Sequence, residues 1–173
     1  MKIVVCIKQV PDTTEVKLDP KTGTLIRDGI PSIINPDDKG GLEYVLQLKE
    51  EYGAEVTVIT MGPPQAEAVL REAFAMGADR AILLTSRKFA GADTLATSNA
   101  LAGALRVLDF DLILAGRQAI DGDTAQVGPQ IAEHLGIPQV SYLEDLKFDG
   151  NKTFRIKKQL EDGYQIVEVE SPC

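Results

Sequence analysis

Four stretches of the chain read as strands rich in apolar residues: 2–10 (K-I-V-V-C-I-K-Q-V), which alternates only weakly, 54–61 (A-E-V-T-V-I-T-M), 80–85 (R-A-I-L-L-T) and 111–115 (D-L-I-L-A). Strands covered on both faces read this way, so the pattern predicts a parallel sheet with Lys2 to Val10 as a central strand. The segments between them carry helical spacing. Asn35-Pro36-Asp37-Asp38 opens one helix, with Asn35 as cap, Pro36 in its first turn and two acids at the positive end of its dipole. Leu42, Val45, Leu46 and Tyr52 give that helix an apolar face, and Gly53 stops it. A second helix carries Ala66, Val69, Leu70, Ala73 and Phe74 up to Gly77; a third starts at Asp93 or Thr94; a fourth begins near Pro129 and ends at His134-Leu135-Gly136. Strands alternating with helices in this way imply right-handed crossovers and a doubly wound α/β core, a mostly parallel sheet with helices on both faces.

Two regions break the alternation. Val16 to Leu18 and Thr24 to Ile26 flank D-P-K-T-G, which predicts a small hairpin inserted at about residues 15–28. From Val140 onward, Tyr142 to Phe148, Thr153 to Gln159 and Tyr164 to Glu170 are strand-like and separated by D-G-N and E-D-G turns, a C-terminal antiparallel β appendage. The expected organisation is an α/β domain over 1–139 and a β-meander extension of the same domain over 140–173, ending at S-P-C with no closing element.

Composition narrows the function classes. The 173 residues hold 44% hydrophobic and 25% charged side chains and no Trp, as a soluble globular chain does. A formal net charge of −8, with no gathered basic face, opposes nucleic acid as a partner. The first apolar run is too short for a signal-peptide core or a membrane span. Cys6 and Cys173 have neither metal-ligand spacing nor a disulfide pattern, which fits a reducing, cytoplasmic setting.

The candidate chemistry lies in Ile113 to Gly128, I-L-A-G-R-Q-A-I-D-G-D-T-A-Q-V-G, where an apolar strand runs into glycines and polar side chains just before a helix. Glycines let the backbone approach an anion, and a helix start supplies free N–H groups. The usual G-x-G-x-x-G after the first strand is missing; that position reads K-Q-V-P-D-T-T. Thr124, Gln126, Val127 and Gly128 can offer donors to a pyrophosphate, whereas Asp121 and Asp123 repel one unless turned toward ribose hydroxyls or the turn itself. The same D-G-D-T also reads as a plain turn with a Thr cap. Thr94, Thr97 and Ser98 lie at another helix start, where Asp93 equally reads as a simple cap. His134 has no evident Ser or Cys partner and Cys6 reads as a small core residue, so the chain has the look of a holder of a cofactor that does its own chemistry.

Several stretches together resemble the β subunit of electron transfer flavoproteins: V-C-I-K-Q-V-P-D, I-N-P-D-D with the helix after it, V-I-T-M-G-P, and A-G-R-Q-A-I-D-G-D-T-A-Q-V-G-P-Q-I-A. The likeness runs from Met1 to about Pro172. It implies an adenine nucleotide alpha hydrolase-like fold and an adenine nucleotide held in β beside an α subunit that carries a redox-active FAD. The nucleotide is AMP in many members. Members resembling A-D-T-L-A-T and D-G-D-T-A-Q-V-G hold a second FAD and perform electron bifurcation, in which NADH reduces that flavin and its electrons part toward high- and low-potential acceptors. This sequence has both loops.

Carried onto these positions, the resemblance implies nucleotide contacts at Cys6, Ile7, Lys8, Asn35, Met61, Gly62, Gln118, Asp121, Gly122, Asp123, Thr124, Ala125, Gln126, Val127 and Gly128, with Asp93, Thr94 and Thr97 near the flavin part. The implied partners are the α subunit, NADH, an acyl-CoA dehydrogenase or similar flavoprotein, and ferredoxin or flavodoxin. Family members continue past the position of Cys173, so a fragment or a short member is expected. An ATP-binding regulator of the universal stress type is the competing α/β reading, but its G-x-x-G stretch and later G-S or G-T pair are not found.

Overall fold

The computed structural model describes residues 1–12, 17–18, 20, 25–26 and 31–173. In chain order the elements are β1 (Lys2–Cys6), β2 (Gln9–Pro11), β3 (Lys17–Leu18), β4 (Leu25–Ile26), β5 (Ser32–Ile34), α1 (Pro36–Tyr52), β6 (Glu55–Met61), α2 (Glu67–Met76), β7 (Arg80–Leu84), α3 (Thr94–Leu105), β8 (Leu112–Ala115), α4 (Val127–Leu135), β9 (Leu143–Phe148), β10 (Thr153–Leu160) and β11 (Gly163–Glu170). The four expected core strands form one sheet in the order β7-β6-β1-β8, and every neighbouring pair is parallel. The chain steps outward from β1 to β6 to β7 and then returns to the far side of β1 for β8. The order therefore reverses between β1 and β8, and open α/β sheets place their ligand crevice at such a point, outside the carboxyl ends of the strands.

Each face of the sheet has its own core. Ile3, Val5 and Ile7 point to α1 and α2, where they meet Leu42, Val45, Val69 and Leu70; Val4 and Cys6 point the other way, toward Leu101 and Leu105 of α3 and Ile131 of α4. Burial on both faces is why these strands read as continuous apolar runs. The meander, ordered β11-β10-β9, buries Leu146, Phe154, Ile156 and Val169 in the first of these cores. Tyr44 of α1 fastens it: its hydroxyl accepts from the Leu146 N–H at 2.9 Å and lies 2.7 Å from Asp145 Oδ1.

The structure corrects the expected first strand and the expected chain end. Lys2 to Val10 is two strands. Ile7 N–H still bonds the Ile59 carbonyl at 2.9 Å, but the chain then leaves the sheet, and Gln9–Pro11 pairs antiparallel with the unpredicted β5. Three-residue strands are too short to show a period. α4 begins near Pro129 as expected, with Pro129 its third residue, a position where the missing N–H has no intrahelical partner to lose. The C-terminal S-P-C is anchored: Cys173 donates its N–H to the Asp111 carbonyl at 3.3 Å and accepts from Ile113 N–H at 2.8 Å, a parallel rung on the outer edge of β8. The polar loop 86–92 contains a short 3-10 turn at Arg87–Phe89. The hairpin is present as β3 paired with β4, while most of its turn, with Val16 and Thr24, lies outside the described residues.

Candidate functional site

The site is built where β1 and β8 end side by side, with Cys6 opposite Ala115 in register. The β2–β5 pair folds the chain back so that the start of α1 stands against the end of β1, where Asn35 N–H donates to the Lys8 carbonyl at 2.8 Å. From there the almost fully buried Asn35 side chain reaches across to the loop after β8. Its Nδ2 donates to the Gln118 carbonyl at 2.8 Å and its Oδ1 accepts from Ile120 N–H at 3.1 Å. A cap expected for its own helix thus serves a neighbouring loop, and it makes no side-chain cap bond to α1.

Asp38, in the first turn of α1, makes a second bridge. Its Oδ2 accepts from Lys8 N–H at 2.8 Å and its Oδ1 from Gly116 N–H at 3.1 Å, so one carboxylate joins the ends of both strands. Gly116 is the residue that permits this approach: a Cβ there would run into the Asp38 carboxylate and come within 2.9 Å of its backbone nitrogen. Burial raises the Asp38 pKa to about 6, only partly offset by hydrogen bonds from Lys8, Asn35 and Gly116. Gly116 lies in the expected Ile113 to Gly128 stretch, whereas Asp38 is not among the expected site residues. A first-turn acid reads as a dipole partner, and only the strand order reveals what it spans.

The third bridge is ionic. Lys8 Nζ lies 2.6 Å from Asp121 Oδ1, and the Asp121 side chain is only 4% exposed. This answers the repulsion expected of Asp121: its charge is turned inward and matched. Asp123 stays exposed. Cys6, at the end of β1, is buried, and its thiol is pushed up to about 12, first by burial and then by the charge of Asp38, which leaves it protonated and unreactive.

Residues 119–126 belong to the loop that joins β8 to α4. Asp123 N–H closes the turn on the Ala119 carbonyl at 2.8 Å. Asp123 and Ala125 each hold φ at 53°, the left-handed region, although neither is glycine. Such residues cost about 1–3 kcal/mol each and persist where the surroundings impose them, often at functional sites. Gln126 follows in the right-handed region at φ −117°, and alternation of that kind turns successive N–H groups to one side, a concavity that suits an anion.

The helix starts decide where negative charge fits. Asp37 and Asp38 occupy the first turn of α1, and Asp93 caps α3 through Ala96 N–H at 2.8 Å. At α4 the cap residue Gln126 makes no side-chain cap bond and the first turn contains no acid. Its free N–H groups and partial positive charge adjoin the concavity. A side chain at Gly128 would touch Ala115 Cβ at 3.4 Å, so the helix packs close against β8.

Of the residues expected near a flavin, Thr94 meets the loop before α4: its hydroxyl donates to the Gln126 side-chain oxygen at 3.2 Å. Thr97 N–H returns to the Asp93 carbonyl at 3.0 Å. Met61 and Gly62 sit at the end of β6, where Gly62 N–H donates to the Leu84 carbonyl at 3.0 Å; among the described residues they make no hydrogen bond to the 116–128 loop. One expectation fails here. His134 does have a serine partner, since its Nε2 is 3.2 Å from Oγ of the fully buried Ser98. That hydroxyl also donates to the Leu95 carbonyl, so the pair braces α3 against α4 and presents no activated nucleophile.

A cavity of about 620 Å³ among the described residues is not this site. It runs along the outer edge of β8 between Gly40 and Gly41 of α1, Ile131 and Ala132 of α4, and Leu143 of the meander, and meets the site only at its upper end through Gly116, Arg117, Ala125 and Gly128.

Comparison with known proteins bears on this geometry. Residues 22–173 match the electron transfer flavoprotein domain. The chain is 66% identical over 172 residues to the electron transfer flavoprotein subunit beta of Clostridium acetobutylicum, covering 99% of this chain and 66% of that protein. It is 61% identical over 175 residues to the caffeyl-CoA reductase-Etf complex subunit CarD of Acetobacterium woodii, with 100% and 66% covered. Over 180 residues it is 49% identical to Protein FixA of Azorhizobium caulinodans, with 100% and 64% covered. The chain thus spans about two thirds of the length of these relatives.

Proposed function

The chain belongs to the electron transfer flavoprotein family, on the side of its β subunits, and from that premise we propose that the crevice between β1 and β8 holds an adenine nucleotide by its phosphates. The observation that carries the reading is the start of α4: an uncapped helix end joined to a left-handed backbone concavity at the reversal of the strand order. Phosphate oxygens there would take the N–H groups of residues 124–128. Lys8 reaches that loop through Asp121, and Arg117 lies just after β8. Lys8 is committed to Asp121, and Arg117 Nε stands a loose 3.9 Å from Asp37 on the half-exposed rim. The ends of β1 and β6, at Cys6 to Lys8 and at Met61 and Gly62, would line the rest of the nucleotide.

The nucleotide is FAD in this reading, and the protein is the β subunit of a heterodimer that passes electrons from NADH in flavin-based bifurcation. Support comes from the start of α3, where the Thr94 hydroxyl meets the Gln126 side chain and Asp93 and Thr97 lie in the same first turn. When bound, the flavin supplies the redox chemistry. The chain's own residues anchor phosphate, fix the cleft through Asn35, Asp38 and Lys8, and present hydroxyls at Thr94 and Thr97. Partners in this reading are an α subunit, an acyl-CoA dehydrogenase or related flavoprotein, and ferredoxin or flavodoxin; the relative named for a caffeyl-CoA reductase complex is in keeping with a reductase-bound assembly.

One observation favours the second reading, a structural AMP with the redox work in α. The Thr94–Gln126 hydrogen bond ties the two loops together, and a group larger than AMP that extends past Gln126 toward α3 has to displace it. The test is to purify the α/β complex, denature it and count released cofactors. Two FAD per heterodimer is the expected result, whereas one FAD with one AMP would select the second reading.

A further inference from the structure

We propose that Asp38 is a positioning residue whose carboxylate clasps the ends of β1 and β8 and thereby sets the shape of the phosphate cleft, so that nucleotide affinity follows its charge state. The proposal rests on the nucleotide reading above and extends it to a residue that touches no phosphate. The geometry is specific. Each oxygen of Asp38 is spent on a different strand end, Oδ2 on Lys8 N–H and Oδ1 on Gly116 N–H, and Gly116 has no Cβ to block the approach. Both acceptors are needed at once. A protonated carboxyl turns one oxygen into a donor that faces an N–H, and one half of the clasp is lost.

The groups around the carboxylate hold it near that change. Burial is the main influence and raises its pKa to about 6; Asp37 on the same helix raises it further, while Lys8 N–H, Asn35 and Gly116 N–H lower it. Cys6, facing it from β1, stays neutral, and the Lys8 ammonium is occupied by Asp121. Arg117, from the loop after β8, stands 3.9 Å from Asp37 and not on Asp38. Because the folded-state pKa is raised, the ionised carboxylate works against folding: protonation adds stability as pH falls through about 6, and the gain is complete below the ordinary value of 3.8. Affinity is expected to move the opposite way on acidification, which a merely structural carboxylate would not produce.

The experiment uses the full-length protein in its natural assembly, stripped of nucleotide, and titrates it with FAD, whose pyrophosphate does not change charge in this range. With a pKa of about 6, the ionised fraction falls from about 97% at about pH 7.5 to about 24% at about pH 5.5, so wild-type affinity is expected to fall about fourfold. Asp38→Asn, which keeps one acceptor, is expected to bind weakly at both values with no such dependence. Amide hydrogen exchange of the ligand-free protein, corrected for the intrinsic effect of pH, should show protection at Lys8 and Gly116 lost over the same range in the wild type. That wild-type measurement stands even if the variant does not fold. An affinity ratio of wild type to Asp38→Asn that stays constant with pH, or exchange at Lys8 and Gly116 indifferent to pH, overturns the proposal. Binding of neither FAD nor AMP at any pH, with exchange still following pH, overturns the nucleotide reading instead.

Discussion

α3 and α4 pack side by side on one face of the sheet, and their first turns are treated in opposite ways. α3 is self-sufficient: Asp93 accepts from Ala96 N–H, and a carboxylate sits where the dipole wants one. α4 is left open, preceded by a loop that holds Asp123 and Ala125 in the left-handed region instead of closing the helix end. A cap is worth about 0.5–2 kcal/mol, so leaving it out while also carrying backbone strain is a cost that a bound anion would offset. The contrast separates two tasks in one cleft. α4 is suited to hold charge, and the α3 loop, already neutralised, is suited to hold whatever uncharged part extends from the phosphates.

That division can be broken from either side. Giving α4 the cap that α3 has, by Gln126→Asp, is expected to have the largest effect: nucleotide affinity falls at least about tenfold, about 1.4 kcal/mol, while the ligand-free chain gains about 0.5–2 kcal/mol of stability. Calorimetric titration and a denaturant melt read the two, and a loss of affinity without that gain would mean the loop had merely been damaged. On the other side, replacing Thr94 and Thr97 together by Leu overfills the space beside Gln126. It is expected to reduce FAD in the β site by about tenfold and leave AMP affinity within about twofold. Cofactor counting after denaturation checks it; unchanged flavin content would remove these residues from the pocket. The smallest effect sharpens the comparison. Asp93→Ala removes the α3 cap and is expected to cost about 1 kcal/mol of stability with AMP affinity nearly unchanged, since the phosphates are not placed there.

The sequence made the elements legible and left their neighbours hidden. Apolar runs located all four parallel strands, and Gly53, Gly77 and Gly136 marked three helix ends where the structure has them. Strand order is a long-range property, and only with β8 placed next to β1 does Asp38 become a bridge rather than a dipole partner. The same holds for Asn35, whose side chain answers residues more than eighty positions away. The D-G-D-T-A loop drew attention through its glycine, yet the left-handed residues are Asp123 and Ala125, which composition cannot distinguish from ordinary ones. Ser98 and His134 were read apart because helix packing, not spacing, joins them. The family resemblance was legible from motif strings, and the domain match over residues 22–173 bears it out.

The most direct test of the central claim is amide hydrogen exchange of the full-length protein with and without AMP, compared between residues 123–128 and residues 94–97. The account predicts slowed exchange at 123–128, where the α4 N–H groups would take the phosphates, and little change at 94–97. Protection confined to 94–97, or absent from both while AMP is bound, would contradict it.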